Sequence, residues 1–213
     1  MANAPNGFDR LATIYDRLAR LIFGKSIVSA QTCFLPMVPP SSKVLILGGG
    51  TGWLLAALMR LHPQCEVWYI ESSSKMLSLT MEKIKSTGML GQVRFILGTE
   101  KDIPTTGFDV VITNFYLDLF SQGILNRVVQ RIVTVLKPSG LWMAADFVNA
   151  GKWWQVFLLK AMYLFFRRVC NIEALTLPPW GKVLTEAGLR RVERRLFYGG
   201  FIESVVFRAL PGP

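Results

Sequence analysis

Val44-Leu45-Ile46-Leu47-Gly48-Gly49-Gly50-Thr51-Gly52 is the stretch on which the fold turns. Its four leading apolar residues read as a buried parallel strand. The glycines at 48, 50 and 52 read as a tight turn, and Trp53-Leu54-Leu55-Ala56-Ala57-Leu58-Met59 reads as the helix that follows. Such a turn lets a ligand meet bare backbone, because a side chain at those positions would block its approach. The spacing is G-x-G-x-G. A dinucleotide fingerprint, G-x-G-x-x-G, needs glycine at 53, where this chain has Trp. A Trp where helix and strand pack suits a ligand without phosphates better than a pyrophosphate.

Outward from this unit the pattern alternates. Strands are expected at 44–47, 66–70, 93–97, 109–113 and 141–146, and helices at 52–61, 75–87 and 122–136. Lys137-Pro138-Ser139-Gly140 is a turn into the fifth strand. Repeated βα units argue for a doubly wound, mostly parallel α/β sheet of Rossmann-like type. The runs 190–198 and 201–208, joined across Gly199-Gly200, add an antiparallel hairpin and bring the sheet to seven strands. The chain is read as one domain, 1–213, with an N-terminal helical cap over 8–40 and a helical insertion over 150–180.

In the cap, Phe8, Leu11, Ala12, Tyr15, Leu18 and Ile22 recur at helical spacing, so a helix is expected over 8–23 and a second over 27–35. The first helix is expected to gate the site. In the insertion, only Gln155 and Lys160 interrupt the apolar side chains from Trp153 to Phe166. At 1.5 Å rise per residue those fourteen residues span about 21 Å, too short to cross a bilayer. Two readings stay open: core packing with a homodimer contact, or a lid over a greasy substrate at a membrane surface. For the second, Trp153, Phe157, Met162 and Phe166 are expected to roof a pocket, with Arg167 and Arg168 near anionic head groups.

The 213 residues carry a net charge of +10, and ten Lys and Arg against four Asp and Glu lie from Gly151 onward. That surface is either a solvated face or a place for an anionic partner. Cys33, Cys65 and Cys170 are far apart, with no C-x-x-C pair and no metal-ligand spacing. No metal is expected. The opening residues lack a basic segment followed by an apolar one, so the expected setting is cytoplasmic, with peripheral contact at the inner membrane surface left open.

Ligands of an open parallel sheet bind beyond the carboxyl ends of its strands. That rule selects Gly48, Gly49, Gly50, Thr51 and Gly52 after the first strand and Glu71 with Ser72 after the second. It also selects Thr99, Glu100 and Lys101 after the third, and Asn114, Phe115 and Tyr116 after the fourth. Asp146 ends the fifth. Glu71, nineteen residues past Gly52, is placed to accept from ribose hydroxyls. Its alternative is an acid at the start of helix 75–87 that offsets the helix dipole. Met76 is a cofactor-contact candidate or, like Met81 and Met89, helix packing. His62 falls in a turn at the opposite end of the sheet.

Val44–Gly52, Tyr69-Ile70-Glu71, Phe108–Asn114 and Leu136–Gly140, in this order, resemble the motifs of class I S-adenosylmethionine (SAM)-dependent methyltransferases. Phe8-Asp9-x-x-Ala12-x-x-Tyr15-Asp16-x-Leu18 further resembles the opening of the ubiquinone/menaquinone biosynthesis methyltransferases and their small-molecule relatives. The resemblance implies SAM as methyl donor, S-adenosylhomocysteine as product, and a small, hydrophobic or aromatic acceptor. It also implies a cofactor site built from the residues just named, with Tyr15 facing the sulfonium or packing as a core aromatic. In-line transfer needs orientation and a dry site more than acid–base groups. Where the acceptor arrives protonated, Tyr15, Asp16, Asp118 and Asp146 are the candidates for proton transfer. Two positions depart from the pattern: Ile46 stands where an acid is common, and Thr99 where an Asp is common. An uncharged acceptor binds more weakly, so a relative that binds SAM without transfer is the alternative. A nucleic-acid methyltransferase is disfavoured: Asn114 is followed by Phe115-Tyr116-Leu117 without the prolines of base amino-methylation, and none of the three cysteines suits cytosine C5 chemistry.

Overall fold

β1 (Lys43–Leu47) is an inner strand of a seven-stranded sheet in a computed structural model that describes residues 7–12, 15–170, 174 and 176–210. The other strands are β2 (Glu66–Glu71), β3 (Val93–Leu97), β4 (Phe108–Asn114), β5 (Leu136–Phe147), β6 (Leu189–Phe197) and β7 (Ile202–Ala209). Their order is β3-β2-β1-β4-β5-β7-β6, and only β7 runs against the rest. The order reverses between β1 and β4, where an α/β sheet opens a crevice for ligands. β5 was expected to begin after the turn at 137–140. The register explains the difference: Phe108 pairs with Leu136 and Val110 with Leu141, so the turn bulges out within a longer strand.

Alternation along β1 sends neighbouring side chains to opposite faces. Leu45 and Leu47 join one core with α6 (Gln122–Val135) and α8 (Trp180–Glu186), centred on Trp142, Trp180 and Phe207. Val44 and Ile46 join the other with α4 (Trp53–Leu61) and α5 (Ser74–Lys85), centred on Leu55, Leu58 and Tyr69. Both faces are covered, which is why these strands read as unbroken apolar runs. Each fully buried Leu or Ile contributes about 1.5–3 kcal/mol.

The cap departs from expectation. Instead of one helix over 8–23 there are two, α1 (Gly7–Leu11) and α2 (Tyr15–Phe23), with Thr13 and Ile14 outside the described residues. They serve different surfaces. α1 is held at the start of α5, where Asp9 accepts from the Ser73 hydroxyl at 2.6 Å and from the Lys75 amide at 3.2 Å. It also meets the end of α7 (Trp153–Cys170): a Cβ on Gly7 would strike the Cys170 backbone. α2 instead inserts Phe23 into a third core with Phe147, Leu159, Tyr163 and Phe201. The second cap helix is also shorter than expected: α3 (Ser26–Thr32) ends before a 3-10 turn at Leu35–Met37.

The 150–180 insertion is mainly α7, eighteen residues long. Its orientation overturns part of the expected roof. Trp153 and Phe157 are 81% and 71% exposed, whereas Gln155, one of the two interruptions in the apolar run, is fully buried. The burial follows spacing: Gln155, Leu159 and Tyr163 form one stripe, and Trp153, Phe157, Lys160 and Leu164 form the opposite one. Gln155 takes its buried place by accepting from the Ala150 amide at 2.8 Å.

Candidate active site

The loop after β1 carries the site. Gly48, Gly50 and Gly52 have φ of 65°, 66° and 75°, where an L side chain is strained. Their surroundings differ. A Cβ on Gly48 would strike the ring of Tyr116, one on Gly49 the ring of Tyr69, and one on Gly52 the side chain of Thr80. A Cβ on Gly50 would meet nothing within 4 Å. Packing therefore demands glycine at 48, 49 and 52, whatever ligand approaches the loop, and a Cβ at Gly50 alone of the four would meet open space. Gly52 acts as the left-handed residue that starts α4.

The loop lines a cavity of about 110 Å³. Gly48, Gly49, Gly50, Thr51, Glu71, Ser72, Met76, Asn114 and Phe115 all line it, so the sequence candidates after β1, β2 and β4 converge there. A larger cavity, about 800 Å³, adjoins it through Gly48, Ser72 and Tyr116 and takes in Thr99, Glu100 and Lys101. Two of these side chains have partners within the protein. Thr99 caps a 3-10 turn, its amide donating to Asp102 at 2.8 Å and its hydroxyl accepting from the Lys101 amide at 3.3 Å. Glu100 is buried and accepts from the Tyr116 hydroxyl at 2.9 Å. Burial first, and the Glu100 charge second, push the Tyr116 phenol well above its ordinary pKa.

Glu71 sits at the end of β2, 5% exposed. One carboxylate oxygen accepts from the Gly50 amide at 2.9 Å and the other from the Ser73 amide at 2.8 Å. Both sequence readings meet here. The Ser73 bond belongs to the start of α5, while the Gly50 bond fixes the loop and keeps the carboxylate on the cavity wall. Burial raises the Glu71 pKa and the backbone amides draw it back down. Each oxygen retains lone-pair capacity for a further donor. A Cβ-free backbone at Gly50 beside a buried, amide-held carboxylate that can accept further hydrogen bonds fits a nucleoside with free ribose hydroxyls.

Sequence reasoning missed what supports the loop from behind. Tyr69 donates its hydroxyl to the Gly50 carbonyl at 2.9 Å, Thr80 donates to the same oxygen at 3.0 Å, and Lys83 reaches the Thr51 carbonyl at 2.7 Å. The available signal was the alternation of β2 and the helical spacing of Met76, Thr80 and Lys83. It also missed Phe8, which lines both of these cavities and a third.

The third cavity, about 240 Å³, lies between α2 and α7 and is almost wholly apolar, with Phe23, Phe115, Phe147, Leu159 and Met162 among its walls. It shares Phe8, Phe115 and Leu119 with the glycine-loop cavity. Met162 and Phe166 line it as expected. Asp118 stands in this wall. Its carbonyl accepts from the Tyr163 hydroxyl at 3.1 Å, and its Oδ1 is buried without a hydrogen-bond partner. Burial pushes the Asp118 carboxyl up to about 7.

Asp146 does not share that role. It is fully buried, and its oxygens accept from the amides of Leu117 at 3.0 Å, Asp118 at 3.2 Å and Phe147 at 2.8 Å. It organises the loop after β4. Burial, and then the neighbouring Asp118 charge, raise its pKa well above the carboxylate range. The side chains of Tyr15 and Asp16 lie outside the described residues; their backbone begins α2. Among the described residues no group of His, Cys, Asp and Glu could hold a metal ion.

Residues 44–140 match a family model described as a methyltransferase domain. The chain is 29% identical over 111 residues to the ubiquinone/menaquinone biosynthesis C-methyltransferase UbiE of Vibrio campbellii, covering 51% of this chain and 42% of that protein. It is 32% identical over 137 residues to the demethylmenaquinone methyltransferase of Thermotoga maritima, covering 62% and 56%. It thus spans about half the length of the curated relatives it matches. A solved SAM-dependent methyltransferase from Aquifex aeolicus shares the fold, with a TM-score of 0.66 at 18% identity, over 95% of this chain and 98% of the other. Sequence motifs, strand order and these matches agree: residues 44–140 form a methyltransferase domain, and the chain is similar in sequence and fold to the class I SAM-dependent methyltransferases.

Proposed function

We propose that this protein transfers a methyl group from SAM to a small, hydrophobic or aromatic acceptor held between α2 and α7. The observation that carries this reading is the apolar cavity that shares Phe8, Phe115 and Leu119 with the glycine-loop cavity. A donor site and a dry acceptor site with a common wall are what in-line transfer requires. The names of the quinone-biosynthesis relatives support an aromatic ring as acceptor, and Phe23, Phe115 and Phe147 offer it aromatic faces.

In this reading Gly48, Gly49, Gly50 and Thr51 supply backbone to the cofactor, and Glu71 accepts from its ribose. Ser72, Met76, Asn114 and Phe115 complete the wall. Thr99, Glu100 and Lys101 stand around the larger cavity, on the adenine side. When bound, SAM supplies an activated methyl and a neutral thioether as leaving group. The chain's own residues orient and dehydrate: Phe8 on α1 covers the junction of the cavities, and the aromatic wall excludes water. Asp118 takes a proton from an acceptor hydroxyl, for which a carboxyl near neutrality is well matched. Asp146 positions Asp118 through the two amides it holds.

The partner is a small-molecule acceptor and not a nucleic acid. The test is turnover with SAM and a set of substituted phenols, hydroquinols and aliphatic alcohols, reading S-adenosylhomocysteine. Methylation of aromatic hydroxyl compounds, lost in Asp118→Asn, is the expected outcome. SAM binding by calorimetry with no turnover on any apolar acceptor would favour a binding protein instead.

A further inference from the structure

The outward stripe of α7 is an unusual surface. Trp153, Phe157 and Leu164 are 81%, 71% and 57% exposed. Exposed Lys160, Arg167 and Arg168 lie among them on the same side of the helix. No Asp or Glu occurs from Phe147 to Ile172. Single exposed apolar residues need no explanation, but a run of large ones on one helix face does. Among the described residues no single helix is long and apolar enough to cross a membrane. Apolar rings flanked by cations, without acids, complement the interface of an anionic bilayer, where rings enter the acyl boundary and cations meet phosphates.

The opposite stripe of the same helix walls the apolar cavity through Leu159, Met162 and Phe166. α2 forms the other wall, and it exposes Leu21 at 83% between Arg20 and Lys25. The two helices that enclose the cavity therefore both carry exposed apolar groups with cations beside them.

We propose that the outward stripe of α7 docks this protein on an anionic lipid surface, so that an apolar acceptor reaches the cavity between α2 and α7 from the bilayer. The second clause rests on the acceptor reading given above; the docking itself does not. It makes α7 an interfacial helix, lying along the membrane with its inner stripe on the protein core.

The test is sedimentation of the whole protein with vesicles of phosphatidylcholine alone or with about a third phosphatidylglycerol, at low and high salt. Binding to the anionic vesicles alone, weakened by salt, is expected. The double substitutions Trp153→Ser with Phe157→Ser, and Arg167→Glu with Arg168→Glu, alter only exposed side chains. Each is expected to weaken vesicle binding at least about tenfold while circular dichroism and thermal unfolding stay native. No vesicle binding, or binding indifferent to both substitutions, overturns the proposal. So does a tight dimer that ignores vesicles and dissociates on the Trp153 and Phe157 substitutions, since a second copy then covers the stripe. Vesicle binding is read without SAM or acceptor. Turnover with a water-soluble aromatic acceptor tests the cavity separately, and the variants are expected to keep it.

Discussion

Gly50→Ala separates ligand space from backbone strain, because Gly88 supplies its control. The two glycines have φ of 66° and 75°, and a Cβ at either meets nothing within 4 Å. Alanine at each therefore pays the same left-handed strain, about 1–2 kcal/mol, and for a chain of this size lowers the unfolding midpoint by about 2–8 °C. The sites differ in what the free space is. Gly88 is exposed between α5 and β3, whereas Gly50 is part of the wall of the 110 Å³ cavity. A methyl of about 30 Å³, the share of one water, narrows that cavity beside Glu71. Losing one charge-assisted bond of about 1.5–3 kcal/mol corresponds to a ten- to hundredfold weaker complex. Differential scanning calorimetry and titration with S-adenosylhomocysteine read the two effects separately. The expected result is equal destabilisation of both variants and loss of affinity in Gly50→Ala alone. Equal affinity in the two variants would refute the assignment of this cavity to the cofactor.

Glu71→Ala should weaken S-adenosylhomocysteine binding by about 1.5–3 kcal/mol, measured by calorimetry on protein whose folding is verified; unchanged affinity would remove the ribose role. Asp118 gives a pH signature: its carboxyl titrates near 3.9 in an unfolded chain and about 7 here. Transfer to a hydroxyl acceptor should rise with pH through about 7 and level off, and Asp118→Asn should flatten the profile and slow transfer about 10²–10⁴-fold. The native state holds the extra proton between those two values. This group's stabilisation is thus complete below about pH 4 and is lost as pH rises to about 7, by at most on the order of 4 kcal/mol. Urea unfolding of Asp118→Asn against pH should show a shallower slope, the remainder belonging to buried Asp146. Phe8→Ala opens the junction of the three cavities and should cut turnover about tenfold or more while the sheet keeps its stability; normal turnover would show that α1 is not a lid.

The sheet was legible because its signals are local. Strands buried on both faces are apolar runs, the glycine turn carries its own spacing, and Gly199-Gly200 marks the hairpin. The candidate site was legible to the extent that topology fixes it, since every residue after a parallel strand emerges at the same edge. Individual roles were not, because they depend on pairs distant in sequence. Nothing near Gly49 announces that Tyr69 fills the space its side chain would need, or that Thr80 does so for Gly52. Asp118 and Asp146 are equivalent as letters. They differ because three backbone amides converge on Asp146 while one oxygen of Asp118 is left bare. The direction of α7 was misread for the same reason. Periodicity cannot orient a helix that is apolar on most sides, and a buried Gln held by the Ala150 amide decided it.

The basic excess of the last third also divides once the fold is known. Arg190, Arg191, Arg194 and Arg195 lie on β6, the edge of the sheet, whose residues are exposed from Arg190 to Leu196. Arg194 pairs with Glu203 of β7, and the Arg195 guanidinium lies 5.4 Å from the Phe34 ring centre. Charges on an open edge strand deter pairing with another chain, so this group has a use that calls for no anionic partner. Lys160, Arg167 and Arg168 have no such use: they stand on a helix whose exposed positions are otherwise large and apolar. The same net charge thus splits into edge protection on one side of the sheet and a cationic, apolar stripe on the helix that walls the apolar cavity. Reversing Arg190 and Arg191 to Glu should therefore leave vesicle binding nearly unchanged, whereas reversing Arg167 and Arg168 should abolish it. Equal losses from the two pairs would mean that overall charge, and not α7, draws the protein to a membrane.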